Sequence, residues 1–566
     1  MRLKRHVSLL ESSLRHVSAR PLLSLHCNRR RFASSAAAYP EQIAVLGGGI
    51  SGLASAYFIL KEFPGSKITI FEQGKEVGGW IKSKRVEVPG GSVLFEYGPR
   101  TLRPGVAALP TAQLIQDLGL AQDVLITRKT SPAAQNRYIY YPDRLNRIAT
   151  TFSDLGLSGA FKLSSSGILA GTQNLFWEPM QAKRPQRLQD ESIGSFLRRR
   201  VDRRVADNLV SAVFHGIYAG DIYQLSAKTL LSAAWAFEGK FGSVGGGIYQ
   251  AHSQIQVPGF HSPIHPYDYE EYNAMLAEVE LDEELQGRLS PHITSTFTFR
   301  NGLQQLVKRL EEFLRQNEHT KIVTDTRIAA ETLSGGPKIA IGPSSGPTRD
   351  FDFVVNTLPD KDLTGSVTVM VVNLFYNKPP SELLPGIQGF GYLIPRSVPF
   401  AQNPERALGV IFDHDVVSGQ DSVSGTKLTV MLGGHWWDGW QEYPDSAEGA
   451  MYAQSVLERH LGIKDEPDLC HATLNRDCIP QYTVGYEERL KDRAERLSTQ
   501  FSGRMRVVGS QYNGVGVNDC IRGAWQIARG MRGDGWKSRS TGLDRVTDSR
   551  EWIVGTWPTW RSPRDE

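Results

Sequence analysis

IAVLGGGISGLASAYFILKEFPGSKITIFE, running from Ile43 to Glu72, decides the fold of this 566-residue chain. The apolar run Ile43–Leu46 predicts a strand that enters a turn of glycines. Leu53–Leu60 carries alanine and leucine at helical spacing, and Lys67–Phe71 predicts a second strand that ends on Glu72. In this strand–turn–helix–strand pattern each glycine has its own task. Gly47 permits the tight turn, Gly49 lets a pyrophosphate approach the backbone, and Gly52 lets the helix pack close to the strand. Gly48, Ile50 and Ser51 complete the turn, and the helix start offers free N–H groups and partial positive charge to an anion. Glu72 stands about 20 residues past the last glycine, where a carboxylate accepts from ribose hydroxyls. The whole unit predicts a dinucleotide site. The bland alternative is a glycine turn that binds nothing.

The residues that follow narrow the choice of dinucleotide. Val77-Gly78-Gly79-Trp80 places a second glycine pair just past the acid, a habit of flavoprotein oxidases and their non-enzymatic relatives. Phe95-Glu-Tyr-Gly-Pro-Arg-Thr-Leu-Arg-Pro104 comes next. GGGISGLA, GGW and E-x-GPR-x-x-RP together resemble the protoporphyrinogen oxidase family, FAD enzymes that aromatise the porphyrin ring. Pro132–Arg137 (PAAQNR), Gly389–Pro395 (GFGYLIP), Cys478–Tyr482 (CIPQY) and Gly514–Cys520 (GVGVNDC) extend the resemblance across nearly the whole chain.

The length calls for two or three domains rather than one core. A hydrophobic content of 40% and a charged content of 22% are ordinary for a soluble globular protein. No run of about 18 apolar residues predicts a transmembrane helix, and Val367–Phe375 reads as a buried strand. Of the cysteines, Cys27, Cys470, Cys478 and Cys520 form no C-x-x-C pair, so the last three read as reduced thiols and no metal site is expected. The net charge of +4 is unevenly placed. Residues 1–39 hold eight arginines and lysines against Glu11 alone, a charge of +7, so the rest of the chain carries −3. The body has no nucleic-acid footprint. The leader has the composition of a mitochondrial presequence, with a processing site after Phe32; the alternative is a disordered basic arm.

The expected architecture is α/β plus α+β: a Rossmann-like FAD-binding domain, an antiparallel-sheet substrate domain and an all-α, membrane-associated insertion. FAD-binding segments are expected at 40–135, 293–356 and 471–530, and substrate-domain segments at 261–292 and 357–470. Residues 136–260 hold apolar residues at helical spacing, with Arg198–Arg200, Arg203 and Arg204 on one helical pair. They read either as a helical domain with a solvated basic face or as an apolar face with a basic rim seated on a membrane, and the resemblance favours the second. Phe241–Tyr272 reads as a long loop or insertion, and the tail 531–566 is left without a fold.

The resemblance also implies roles for residues. Gly47 to Gly52 hold the pyrophosphate, and Glu72 and Gln73 meet the adenosine ribose. Trp80, Gly98, Pro99, Arg100 and Thr101 meet the middle of the cofactor, while Ile328, Ser510, Val515, Gly516 and Val517 close the site. Arg137 meets a propionate, Gly220 lies beside the macrocycle, and Leu393 and Phe412 form its walls; on strands, those last two could equally be core. No catalytic base is nominated, because a hydride passing straight to the flavin needs none. The implied partners are protoporphyrinogen IX, molecular oxygen and a membrane surface, in this case the mitochondrial inner membrane, with a homodimer and hand-over of product to ferrochelatase left open. The rivals are a flavin amine oxidase or carotenoid desaturase, and a flavin-free binding protein like the Rab GDP-dissociation inhibitors.

Overall fold

The computed structural model describes residues 39–148, 163, 165–254, 261–328, 338–343 and 346–560. The basic leader, apart from Tyr39, lies outside them, as do most of the helix expected at Leu155–Leu169 and much of the hairpin tip expected at Ser334–Ser345. β1 (Gln42–Leu46) lies at the centre of a five-stranded parallel sheet. β2 (Lys67–Phe71) and Thr320–Val323 continue it on one side, Phe353–Asn356 and Met505–Val507 on the other. Ile43, Ala44, Val45 and Leu46 are all fully buried, as a parallel strand covered on both faces requires. α1 (Ile50–Glu62) is buried from Ile50 to Leu60. It is apolar all round because β1 lies beneath it and the last long helix, Val517–Gly533, packs over it.

The second sheet has seven strands, in the order Leu469–Pro480, Ser366–Tyr376, Thr426–Gly433, Ala407–Ile411, Gly391–Leu393, Arg137–Tyr140 and Leu145–Ile148. All neighbours are antiparallel except Gly391–Leu393 with Arg137–Tyr140. Alternation along each strand gives the sheet two distinct faces. One carries Met370, Val372, Leu374, Val410, Phe412 and Tyr392, and is covered by the helix Ser446–Leu461 through Ala453, Val456 and Leu457. The other carries Val367, Val369 and Val371, with Ala219 against them.

Several expected boundaries are corrected. Residues 137–148, assigned to the helical segment, are sheet strands, and residues 471–480, assigned to the FAD-binding part, complete the strand that begins at Leu469. The segment 261–292 does not join the substrate sheet: Met275, Val279, Leu285 and Leu289 pack in the core around β1 and α1. Among its described residues Phe241–Tyr272 is a folded insertion rather than a loop. It contains the helix Val244–Gln254, the strand Ser262–Ile264 and the start of the helix Pro266–Glu278. The described part of the tail, residues 531–560, is folded too. Thr541 accepts from Val507 N–H at 2.9 Å, and Ile553–Gly555 pairs antiparallel with Ser262–Ile264. Its glycines and tryptophans gave no periodicity to read because its partners are strand edges far away in sequence.

Most of the expected basic rim is paired with carboxylates, while Arg198 stays exposed on the helix. Arg200 is 1% exposed and forms an ion pair with Glu178, while Arg199 is bonded to Glu191 and Glu238. Arg203 and Arg204 are exposed but paired with Asp207 and Asp202. Among the described residues no helix is long and apolar enough to cross a membrane.

Candidate functional site

Each glycine of the opening turn meets a different obstacle. Gly47 has φ +101°, a conformation that L side chains rarely adopt. A Cβ on Gly52 would lie 1.9 Å from Gly47 O, so this residue is where α1 touches the turn. A Cβ on Gly49 would meet nothing closer than Gly79 Cα at 4.0 Å, although its φ of −73° would accept a side chain. The space over Gly49 is open, and the start of α1 carries no side-chain cap. The second uncapped start belongs to Val517–Gly533, with Gly516 at its N-cap. The two ends meet at Ser51, in the first turn of α1, which hydrogen-bonds Cys520 in the first turn of the second helix. Two long helices thus leave their first-turn donors unmatched at one place, which suits an anion such as a pyrophosphate.

The second glycine pair lies on the first. Gly78 N–H donates to Gly48 O at 2.8 Å, and Gly79 and Trp80 stay exposed beside the opening, Trp80 by 47%. Gly98 follows because a Cβ there would lie 2.1 Å from Trp80 O, and Pro99 and Thr101 continue half-buried alongside. Glu72 braces the turn: one carboxylate oxygen accepts from Gly48 N–H at 2.8 Å, the other from Gly74 N–H at 2.7 Å. Each oxygen keeps a lone pair for a ribose hydroxyl. Gln73 is exposed next to it. Ile328 is buried with Phe71, Val515 packs against the same cluster, and Ser510 O accepts from the Tyr482 hydroxyl. Val517 begins the last long helix. Asp519, in the first turn of that helix, lies over Gly514 and Gly516 and pairs with Arg522 at 3.1 Å, offsetting part of the positive end expected there.

Arg100, expected at the middle of the cofactor, is held by a partner within the protein. Its Nη1 donates to Asp413 Oδ1 at 2.7 Å in a buried ion pair, and Thr429 Oγ1 lies 2.6 Å from the other carboxylate oxygen. Asn373, Lys427 and Glu96 extend this polar cluster around a small cavity. Glu96 accepts from Leu303 N–H and Ser83 Oγ, and burial pushes its carboxyl up to about 7. The charge of Arg100 is therefore balanced from within the protein, and its first task is to join the GPR segment to the second sheet.

Register decides which substrate candidates come together. Ile139 pairs with Leu393, and Leu393 with Gly409. Arg137, two residues before Ile139, shares their face. A Cβ on Gly216 would touch Leu393 Cδ2 at 2.8 Å, so the helix Ser211–Tyr218, which leads to Gly220, crosses that face. Phe412 does not belong with them. It is fully buried on the opposite face, 6.1 Å from the Tyr392 ring, because its strand partners fall one residue out of phase with Leu393. Gly220 is a glycine for a local reason: a Cβ would lie 2.2 Å from Gln481 Oε1, while Gln481 Nε2 donates to Tyr218 O at 2.9 Å.

Sequence reasoning missed three groups. Gln481 lies inside the quoted CIPQY motif. Arg103 lies inside the quoted RP dipeptide and is close enough that its charge, after desolvation, lowers the Arg137 pKa. Neither arginine has a carboxylate partner within salt-bridge distance among the described residues. The third group is the pair His215 and His435, whose Nε2 atoms are 2.8 Å apart. His215 Nδ1 donates to Ile394 O at 2.7 Å, so its Nε2 is the acceptor and His435 the donor. Burial holds His215 down at about 4 and keeps the pair neutral. Together with the bond from His435 N–H to Ala219 O at 2.8 Å, it fixes the segment that leads into Gly220. No spacing rule links residues 215 and 435.

Comparison with known proteins agrees with this geometry. A family model for flavin containing amine oxidoreductase matches residues 50–532. A protoporphyrinogen oxidase of Schizosaccharomyces pombe is 34% identical over 504 residues, covering 86% of this chain and 98% of that one. The Homo sapiens protoporphyrinogen oxidase is 29% identical over 522 residues, covering 87% and 98%. A solved Exiguobacterium structure described as a protoporphyrinogen oxidase superposes with a TM-score of 0.63 at 21% identity, covering 88% of this chain and 99% of that one, a likeness of fold.

Proposed function

This chain belongs to the flavin-containing amine oxidoreductase family, among its protoporphyrinogen oxidases, and on that premise we propose that it is an FAD enzyme oxidising protoporphyrinogen IX to protoporphyrin IX in haem biosynthesis. The observation that carries the cofactor is the open space over Gly49 between two uncapped helix starts. Gly47–Gly52 would hold the pyrophosphate there, with Glu72 at the ribose and the segment Trp80 and Gly98–Thr101 along the middle of the cofactor. Bound there, FAD would supply the hydride acceptor and the route of electrons to oxygen, so that three cycles would remove six electrons and release three hydrogen peroxide molecules.

The protein's own residues bind and orient the substrate. The apolar face through Ile139 and Leu393, crossed by the helix Ser211–Tyr218, excludes water from a flat macrocycle. Arg137 holds a propionate at the polar edge of that face, and Arg103 adds a second positive charge. The neutral His215–His435 pair and Gln481 keep Gly220 in place. No side chain is assigned to move a proton.

The incubation of purified protein with protoporphyrinogen and oxygen tests this reading: porphyrin fluorescence should grow with stoichiometric peroxide. A colourless protein that produces no porphyrin would overturn it in favour of a flavin-free binding module.

Two further parts of the reading concern location. The +7 leader supports import into mitochondria and removal after Phe32. The apolar side chains exposed at Leu175–Met180 support peripheral seating on the inner membrane. Deleting residues 1–32 should leave flavin content and activity intact and abolish import.

A further inference from the structure

The helical segment carries a concave site away from the macrocycle face. It is a cavity of about 450 Å³ walled by Lys183, Arg184, Lys228, Trp235, Glu238 and Lys240, among others. Four cations share it with one carboxylate, and that carboxylate is already engaged. Glu238 is 2% exposed, takes both prongs of Arg199 at 2.5 and 3.0 Å, and has Arg200 at 3.5 Å. Lys228 is balanced by Glu487 and Glu488, at 3.3 and 2.6 Å.

Lys183, Arg184 and Lys240 have no such balance. Arg184 lies over the Trp235 ring, 3.8 Å from its centre, donates to Trp235 O at 3.3 Å, and has one carboxylate in reach, the engaged Glu238, also at 3.8 Å. Lys240 donates to a backbone oxygen, Trp552 O, at 3.1 Å. Two glycines make room for the other two cations: a Cβ on Gly239 would lie 2.7 Å from Arg184 Nη2, and one on Gly242 would lie 2.7 Å from Lys183 Cε. Like charges held together in a concave wall repel one another unless an anion enters.

The second observation lies just upstream. The turn Thr172–Met180 exposes Leu175, Phe176, Trp177 and Met180 by 53, 86, 58 and 77%. The helix Val244–Gln254 is tied to it by Glu178, which accepts from Val244 and Gly245 N–H at 3.0 and 2.8 Å, and adds the exposed Ile248 and Tyr249. Two residues separate Met180 from Lys183, so the three steps span at most about 11 Å of extended chain. An interfacial apolar face enters roughly 5–10 Å into the boundary between headgroups and acyl chains. Immersing the turn therefore brings the cavity to the level of the lipid phosphates.

We infer that this cavity takes the phosphate of an anionic lipid headgroup while Leu175–Met180 enters the bilayer boundary. The inference rests on the membrane seating proposed above and names the lipid class that holds the protein there. Each basic residue near an anionic surface contributes about five-fold in binding.

The test is flotation of the FAD-loaded protein with phosphatidylcholine vesicles, alone or with one-fifth phosphatidylglycerol. The wild type should prefer the anionic vesicles. Lys183→Gln with Arg184→Gln should lose roughly thirty-fold in affinity for anionic vesicles and keep its binding to the neutral ones. Phe176→Ser with Trp177→Ser should weaken binding to both. Flavin content and oxidase activity in detergent should be unchanged in both doubles, which controls for folding. A charge variant that keeps the full preference overturns the headgroup site and leaves the membrane seating standing. A wild type that floats with neither vesicle overturns both. Saturable binding of inorganic phosphate without lipid, lost in the charge variant, would reassign the cavity to a soluble anion and overturn the lipid assignment.

Discussion

Gly49→Ala and Gly52→Ala, three residues apart in one motif, should fail in different ways. At Gly49 the backbone is extended, φ −73° and ψ 179°, and the new methyl would meet nothing closer than 4.0 Å. Two small effects oppose each other in the apo protein. Alanine restricts the unfolded chain, worth about 0.4–1 kcal/mol, and is a poorer N-cap than glycine, costing about 0.5–1 kcal/mol. Apo stability should therefore stay within about 1 kcal/mol of wild type. Cofactor binding should not survive, because the methyl occupies the path of the pyrophosphate to the backbone N–H groups. Losing two hydrogen bonds to a charged group, at about 1.5–3 kcal/mol each, amounts to roughly a hundred- to ten-thousand-fold in the FAD dissociation constant. At Gly52 the methyl would lie 1.9 Å from Gly47 O and 3.2 Å from Val45 Cγ1, so α1 must move off β1. That overpacking should cost about 1–3 kcal/mol or more before any ligand is added. Thermal unfolding of the apo proteins, and FAD titration followed by quenching of flavin fluorescence, separate the two outcomes. If Gly49→Ala binds FAD like wild type, the cofactor does not lie over this turn. If it melts as early as Gly52→Ala, the open space is not reserved for a ligand.

Arg137→Ala should lower kcat/KM by roughly 30-fold or more with FAD content unchanged, since losing one partner of a buried charge pair costs about 2–5 kcal/mol; an equal loss on a substrate with esterified propionates would show that Arg137 acts through the fold. Leu393→Ala should raise KM with little change in melting, whereas Phe412→Ala should cost about 3–5 kcal/mol of stability and leave KM near wild type; the reverse pattern would mean that the two sheet faces have been exchanged. Glu96 should make stability fall with rising pH. Burial pushes it up to about 7 from an ordinary 4.5, so the fold retains a proton that the unfolded chain releases. That contribution is full below about pH 4.5 and lost as the pH rises through about 7, a difference of about 3 kcal/mol. Glu96→Gln should flatten the slope, and unchanged slopes in urea unfolding between pH 5 and 7 would show that Glu96 is ionised in the fold.

What could be read from the sequence is what depends on neighbours along the chain. The unit from β1 through α1 to β2 spans Gln42–Phe71, and its glycines act on backbone a few residues away, so spacing alone announces the turn, the close helix contact and the open place for phosphate. The strand Ser366–Tyr376, buried at all but its first residue, was legible for the same reason: a β-branched run of that length is its own signal. The tertiary structure decided everything that depends on a partner. Nothing near Arg100 in the sequence announced Asp413, 313 residues away, which the fold brings against it. Arg199 and Arg200 looked like a basic face until Glu178, Glu191 and Glu238 were folded around them, while Lys183, Arg184 and Lys240 nearby gained no such balance. Leu393 and Phe412 looked equivalent because a strand pattern gives a period of two but not its phase; only pairing with Arg137–Tyr140 on one side and Thr426–Gly433 on the other sends one to the face of Ile139 and Arg137 and the other into the core. Backbone conformation is a local property and can be read locally, whereas charge balance and facing are set by contacts between segments hundreds of residues apart.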